Sequence, residues 1–208
     1  MLRYAITDRR LFPGDERERC DAVVAQARHL AIGGVDIFQL REKDLPEADL
    51  QQLASRVAEA VRSSAPTPVS SAPTKVLVNG PAHIAIAARA HGVHLRSGAG
   101  PHDLANVRLA FHVAGLPAPL VSLSCHSLDE VRSAASAPFD LLLFGPVFEK
   151  RVRGDLAAPG LGLDQLRQAC ALTSPSRILA LGGIVTEIHA RQCLQAGALG
   201  IAAIRMFL

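Results

Sequence analysis

Short apolar runs of four to six residues alternate with longer stretches of helical periodicity, and the alternation repeats about eight times along the chain. A strand separated from the next strand by a helix has no tight turn through which to pair antiparallel. It must pair parallel, through a crossover, and such crossovers are right-handed. The strands read as Tyr4 to Thr7, Val35 to Leu40, Lys75 to Asn79, Gly92 to Leu95, Leu120 to Cys125, Phe139 to Phe144, Arg177 to Leu181 and Gly200 to Ile204. The helices read as Asp15 to Ile32, Pro46 to Ser63, Ile84 to Ala90, His102 to Phe111, Leu128 to Ala135, Leu163 to Leu172, and one capped by Thr186 and running to Ala196.

Eight units in 208 residues predict an α/β fold, a single (β/α)8 TIM barrel over residues 1–208, with an open doubly wound sheet as the alternative. The chain stops at Leu208, directly after the eighth strand, so the last helix of the barrel is expected to be missing. Met206, Phe207 and Leu208 should then be exposed unless another segment or subunit covers them, which predicts a homo-oligomer or a shortened chain. Residues 63–74 (SSAPTPVSSAPT) are low in complexity and are read as an extended connection on the barrel's N-terminal face. Residues 147–162 form a long loop after the sixth strand, of a length often used for lids.

The composition excludes several roles. Aromatic residues make up 4% of the chain and Trp is absent, so a base-stacking surface for single-stranded nucleic acid is not expected. A net charge of +3 does not point to nucleic acid or a membrane, although it suits a pocket for a small anion. Cys20, Cys125, Cys170 and Cys193 have no paired spacing, which fits reduced thiols and a cytoplasmic location. No apolar run has the length of a signal peptide or a membrane span.

Candidate chemistry lies where strands end. In Val121-Ser-Leu-Ser-Cys-His-Ser127 a strand gives way to Ser127, and Glu130 follows three residues later as a capping box. His126 therefore sits at the carboxyl end of a strand, where a neutral imidazole can accept and return a proton. A capping or core histidine is the plainer reading. Arg41 and Lys43 leave the second strand beside Gln39 and suit an anionic group; otherwise they belong to a solvated run with Glu42 and Asp44. Asn79 and Ser124 are candidate polar anchors, and Glu149 a second acid/base group or an exposed loop residue. Gly182-Gly183 after the seventh strand, with Ala203, Ile204 and Arg205 at the end of the eighth, occupy the usual phosphate site of such barrels. His94 should line the barrel mouth, while His29, His83, His91, His102, His112 and His189 are read as surface. No cluster of Asp, Glu or His has the spacing of a metal site.

The ordered set Ala5-Ile-Thr-Asp8, Gln39-Leu-Arg-Glu-Lys43, Val78-Asn79, Gly92-Val-His-Leu95, Ser124-x-His126-Ser127, Gly145-Pro-Val-Phe148, Leu181-Gly-Gly-Ile184 and Gly200-Ile-Ala resembles the thiamine-phosphate synthase / TenI superfamily. The resemblance implies one of two activities. The synthase joins a pyrimidine pyrophosphate to a thiazole phosphate with Mg²⁺, and the TenI branch aromatises a carboxythiazole phosphate. The synthases carry Asn-Asp after the third strand and a second metal Asp after Gly-Val-His-Leu. Here the residues are Asn79-Gly80 and Arg96-Ser-Gly-Ala-Gly100. The synthases' Thr-x-Thr-Lys run is replaced by Glu149-Lys-Arg-Val-Arg153. These departures favour the TenI branch, so the expected function is a thiazole tautomerase, an isomerase of thiamine biosynthesis. His126 would be its catalytic acid/base and a phosphorylated thiazole its ligand, with no metal or other cofactor. Thiamine-phosphate synthase is the first alternative, and Gln39, Arg41 and Lys43 favour it. A non-catalytic protein that binds a thiamine-pathway phosphate is the second.

Overall fold

The computed structural model describes residues 1–64, 72–152, 155–173 and 177–208, with backbone only over residues 150–152 and 155–158. Its barrel strands are β1 (Leu2–Ile6), β2 (Ile37–Leu40), β3 (Lys75–Val78), β4 (Gly92–Leu95), β5 (Leu120–Cys125), β6 (Leu141–Phe144), β9 (Ile178–Leu181) and β10 (Gly200–Ala203). They pair in the order β1-β10-β9-β6-β5-β4-β3-β2, which closes on itself. The registered pairs of this sheet are parallel, as at Tyr4 with Ile37 and Leu143 with Leu179. The TIM-barrel reading holds and the open sheet is set aside.

Between the strands lie α1 (Glu16–Ile32), α2 (Glu47–Arg62), α3 (Ala82–Ala87), α4 (Pro101–Val113), α5 (Leu128–Ala135), α6 (Gly162–Ala171) and α7 (Glu187–Gln195). Their starts are legible in local chemistry. Asp15 accepts the Glu18 N–H while Glu18 accepts the Asp15 N–H, a complete capping box for α1. At α5, Ser127 accepts the Glu130 N–H, but the Glu130 carboxylate reaches one residue further back, to the His126 N–H at 2.7 Å. Helix α2 buries Leu50, Leu53, Ala54, Val57 and Val61, a stripe at three- and four-residue spacing.

The strands β2, β6 and β10 are buried along their whole length, as expected for parallel strands covered on both faces. The Ser122 of β5 is fully buried too. Its alternation with Val121 and Leu123 therefore does not separate water from core. Strands also approach at glycines. A Cβ at Gly92 would collide with the Leu120 backbone, one at Gly145 with Leu181, and one at Gly200 with Leu2.

The chain packs as two compact units, one of residues 1–3, 95–105 and 121–206 and the other of residues 4–94, 106–120 and 207–208. A 3-10 turn (Arg205–Phe207) follows β10. Phe207 is only 6% exposed, and its carbonyl accepts the Gln26 amide N–H of α1 at 2.9 Å. Of the residues expected to be exposed unless a segment or subunit covers them, Phe207 is buried within the chain, Met206 is half-buried and Leu208 is exposed. The 147–162 loop is corrected as well. It contains an antiparallel hairpin, β7 (Lys150–Val152) with β8 (Asp155–Ala158). Most of the low-complexity connection, residues 65–71, lies outside the described residues.

His91 completes the backbone pairing between β3 and the start of β4. Its N–H donates to the Val76 carbonyl at 2.8 Å, and its Nδ1 accepts the Val76 N–H at 3.0 Å. Only an unprotonated Nδ1 can accept. Burial, with the Lys75 and Arg62 charges, pushes the His91 pKa below its ordinary value. A lowered folded-state pKa stabilises the fold above the unfolded value of 6.5 and loses that contribution as pH falls below it. His91→Ala should cost about 1–2 kcal/mol at pH 8, the price of an unpaired buried N–H. The difference from wild type should shrink by pH 5, read from urea midpoints at the two pH values. A difference independent of pH would contradict this role.

Candidate active site

In the second unit, polar groups gather where β1 and β2 end. Gln39 on β2 is 1% exposed, and its Nε2 has no hydrogen-bond partner among the described residues. A buried amide without a partner is costly and uncommon in a settled core. It is the strongest sign in this unit of a donor kept for a ligand. Two residues on, Arg41 is half-buried, and its backbone N–H donates to the Thr7 hydroxyl at 2.9 Å. Lys43 is exposed. Asn79 is half-buried at the end of β3, with its N–H on the Leu40 carbonyl at 2.9 Å. Gln39, Arg41 and Asn79 thus lie at the ends of two adjacent strands.

Glu42 does not belong to a solvated run. It is 2% exposed and accepts from the Thr7 hydroxyl at 2.5 Å, the Arg9 N–H at 3.1 and 3.2 Å, and the Arg9 guanidinium at 3.1 Å. Arg9 is itself 4% exposed and also grips Asp44 with two nitrogens, at 2.7 and 3.0 Å, and pairs with Glu16. The Arg9 contact holds the Asp44 carboxyl below its usual range, and the three carboxylates raise the Arg9 pKa. Sequence reasoning missed Thr7 and Arg9 because they lie more than thirty positions from their partners. The only signal was a loop of paired charges after each of two adjacent strands.

In the first unit, His126 is exposed at the end of β5, and its Nδ1 lies 2.7 Å from the Gly145 carbonyl. A carbonyl only accepts, so Nδ1 carries the proton and Nε2 is left as an acceptor. The Glu130 contact to its N–H fixes the backbone of the same residue. Ser124 is half-buried on β5. Glu149 is exposed.

Gly182 and Gly183 follow β9 with φ of +94° and +69°. A Cβ on Gly182 would sit 2.6 Å from Pro146, and one on Gly183 would sit 2.6 Å from the Phe148 side chain. The Phe148 and Val147 N–H groups donate to the Gly182 and Leu181 carbonyls. These glycines therefore seat the segment after β6, a role that anion approach alone did not suggest. Ala203 is buried, Ile204 half-buried and Arg205 exposed. His189 is not a surface residue. Its ring stacks on Phe148 at 4.4 Å, and its Nδ1 is buried with no partner among the described residues.

A closed parallel barrel with polar groups at its strand ends is the architecture of the TIM-barrel proteins, whose enzymes place their sites at those ends. The family model described as thiamine monophosphate synthase (TMP-TENI) matches residues 3–207, and the chain belongs to that family. It is 33% identical over 203 residues to the thiamine-phosphate synthase of Mycobacterium avium, an alignment covering 97% of this chain and 84% of the relative. It is 34% identical over 182 residues to that of Koribacter versatilis, covering 86% and 76%. Among solved structures, a thiamine phosphate pyrophosphorylase from Pyrococcus furiosus superposes with a TM-score of 0.70 at 27% identity, covering 98% of this chain and 85% of that one. These relatives correct the expectation of a thiazole tautomerase. They are named as synthases, and the likeness runs through nearly the whole chain, whereas the tautomerase reading rested on a few loop substitutions.

The family's Mg²⁺ does not fit the residues present. Such an ion needs one or two carboxylates besides phosphate. The end of β3 offers Asn79-Gly80, and residues 96–100 after β4 carry no carboxylate. Asp103, the next acid, accepts the Gly100 N–H at 2.8 Å, close to the start of α4. Among the described residues no group of three or more His, Cys, Asp or Glu could hold a metal. No helix among them is long and apolar enough to cross a membrane.

The Nδ1–H tautomer of His126 should be visible by ¹⁵N NMR at alkaline pH, with Nε2 showing the shift of a bare ring nitrogen. An Nε2–H tautomer would contradict the Gly145 contact. Gly182→Ala should cost on the order of 1–3 kcal/mol in a denaturation experiment, through its positive φ and the Pro146 overlap.

Proposed function

We propose that this protein is a transferase of the thiamine-phosphate synthase type, joining a pyrimidine pyrophosphate to a thiazole phosphate. The observation that carries the reading is similarity over most of the chain to proteins named for that activity, together with Gln39, Arg41 and Lys43 at and just after the end of β2. In the reaction the bond between the pyrimidine methylene carbon and the pyrophosphate oxygen breaks, and pyrophosphate leaves with the electron pair. The thiazole nitrogen supplies its lone pair to the same carbon and becomes the quaternary nitrogen of the product. Nothing is oxidised or reduced.

The chemistry demanded of the protein is stabilisation of a leaving group that gains charge. Arg41 and Lys43 supply cations for it, Arg by a planar fork suited to phosphate and Lys as a mobile point charge. The Gln39 amide, without a partner among the described residues, supplies a neutral donor beside them. The Gly182-Gly183 turn with Ala203, Ile204 and Arg205 is assigned to the thiazole phosphate, by its place after the last two barrel strands. His126, held as the Nδ1–H tautomer, presents an acceptor nitrogen and serves to orient substrate, since the transfer itself moves no proton. In this reading Arg41 and Lys43 provide the charge that the family's metal carboxylates and ion would otherwise organise.

The test is chromatographic detection of thiamine phosphate from the two substrates, with Mg²⁺ and with EDTA. Wild type should form product in both, and Arg41→Ala or Lys43→Ala should lower kcat/KM by roughly 10- to 100-fold, the worth of one charge-assisted hydrogen bond. Absence of product under both conditions would overturn the proposal. Activity abolished by EDTA would remove the metal-independent part of it.

A further inference from the structure

We infer that Glu42 is a positioning residue for the anion grip of β2, acting through Thr7 and Arg9 and never touching substrate. This rests on the proposed role of Arg41 and Lys43. Glu42 stands between the two cations in sequence, yet its carboxylate is buried and turned toward the loop that follows β1. A carboxylate is acceptor-only, and this one already accepts from a hydroxyl, a backbone N–H and a guanidinium. An acid with its acceptor capacity engaged, sitting beside a site for phosphates, serves structure and would oppose the ligand if it faced it.

The geometry shows what it positions. The Arg41 N–H donates to the Thr7 hydroxyl, and that hydroxyl donates onward to Glu42. The Thr7 N–H in turn donates to the Gln39 carbonyl at 3.0 Å. One residue of the β1 loop therefore fixes the backbone of β2 on both sides of Leu40, and Glu42 fixes the orientation of that residue's hydroxyl. A hydroxyl with one proton must choose one acceptor; given Glu42, its lone pairs are left for the Arg41 N–H. Arg9 closes the ring by gripping Glu42 and Asp44 together, which sets the turn that carries Lys43. The Thr7 to Glu42 link of this chain is buried and the Arg41 N–H to Thr7 link partly so, and hydrogen bonds sheltered from water reinforce one another.

Glu42→Gln keeps the volume and one acceptor but loses the charge. It should raise the KM for the pyrimidine pyrophosphate about tenfold or more while kcat stays within about threefold. Inorganic pyrophosphate, titrated calorimetrically, should bind more weakly by the same factor. Thr7→Val should reproduce the loss and Thr7→Ser should restore wild-type affinity, a rescue that packing alone would not give. Glu16→Gln, which also removes a charge paired with Arg9 but lies outside the turn after β2, should leave pyrophosphate affinity within about twofold. If Glu42→Gln fails to fold, the Thr7 pair decides the matter. Wild type that binds pyrophosphate, with Thr7→Val binding it equally well, would overturn the inference alone. Wild type that binds no pyrophosphate and forms no product would overturn the functional reading and this inference with it.

Discussion

The structure depends on closing a parallel sheet. Every strand of the barrel has a neighbour on each side, so the barrel leaves no edge, and strands consecutive in the barrel's chain order are joined through helices. Closure brings backbones close, and glycine stands where Gly92, Gly145 and Gly200 face the Leu120, Leu181 and Leu2 backbones. It also buries strands on both faces, which leaves the loops at their ends as the place for polar chemistry. In one of the two units that polarity takes the form of a buried ionic network. A lone buried carboxylate would be expensive, and Glu42 is tolerable only because Arg9 and Thr7 meet it. The same contacts lock the two strand-end loops together, so a residue with no direct role in recognition determines where the recognising residues stand.

Much of the fold was legible in the sequence. The strands Gly92–Leu95 and Leu120–Cys125 and the helix Leu128–Ala135 fall where periodicity and capping put them. The reason is local: Ser127 with Glu130, Asp15 with Glu18 and Thr186 with His189 state their helix starts within four residues. The hairpin Lys150–Val152 with Asp155–Ala158 was not legible, because a charged run gives no period-two signal. Ser122 alternates with apolar neighbours as a half-exposed strand would, yet it is fully buried, because in a barrel the second face is covered by helices and not by water.

The site was partly legible. Gln39, Arg41 and Asn79 stand together at adjacent strand ends because parallel pairing in register makes them neighbours. Gly182-Gly183 was legible as a place where Cβ atoms are excluded, but the steric reason lies in Pro146 and Phe148, far away in the chain. Thr7, Arg9 and the burial of Glu42 were invisible, since long-range ion pairs leave no spacing to read. His189 appeared as one helix residue among several histidines, and only the packing of Phe148 distinguishes it. The tautomerase expectation failed for a related reason. A few substitutions at metal-ligand positions say that a carboxylate is gone, not which reaction the remaining pocket performs.

The most direct test of the account is a ³¹P NMR time course of the protein with pyrimidine pyrophosphate and thiazole phosphate. The predicted result is free pyrophosphate growing in step with the phosphate resonance of thiamine phosphate, one for one. Thiazole phosphate altered without release of pyrophosphate, or a spectrum that does not change at all, would contradict it.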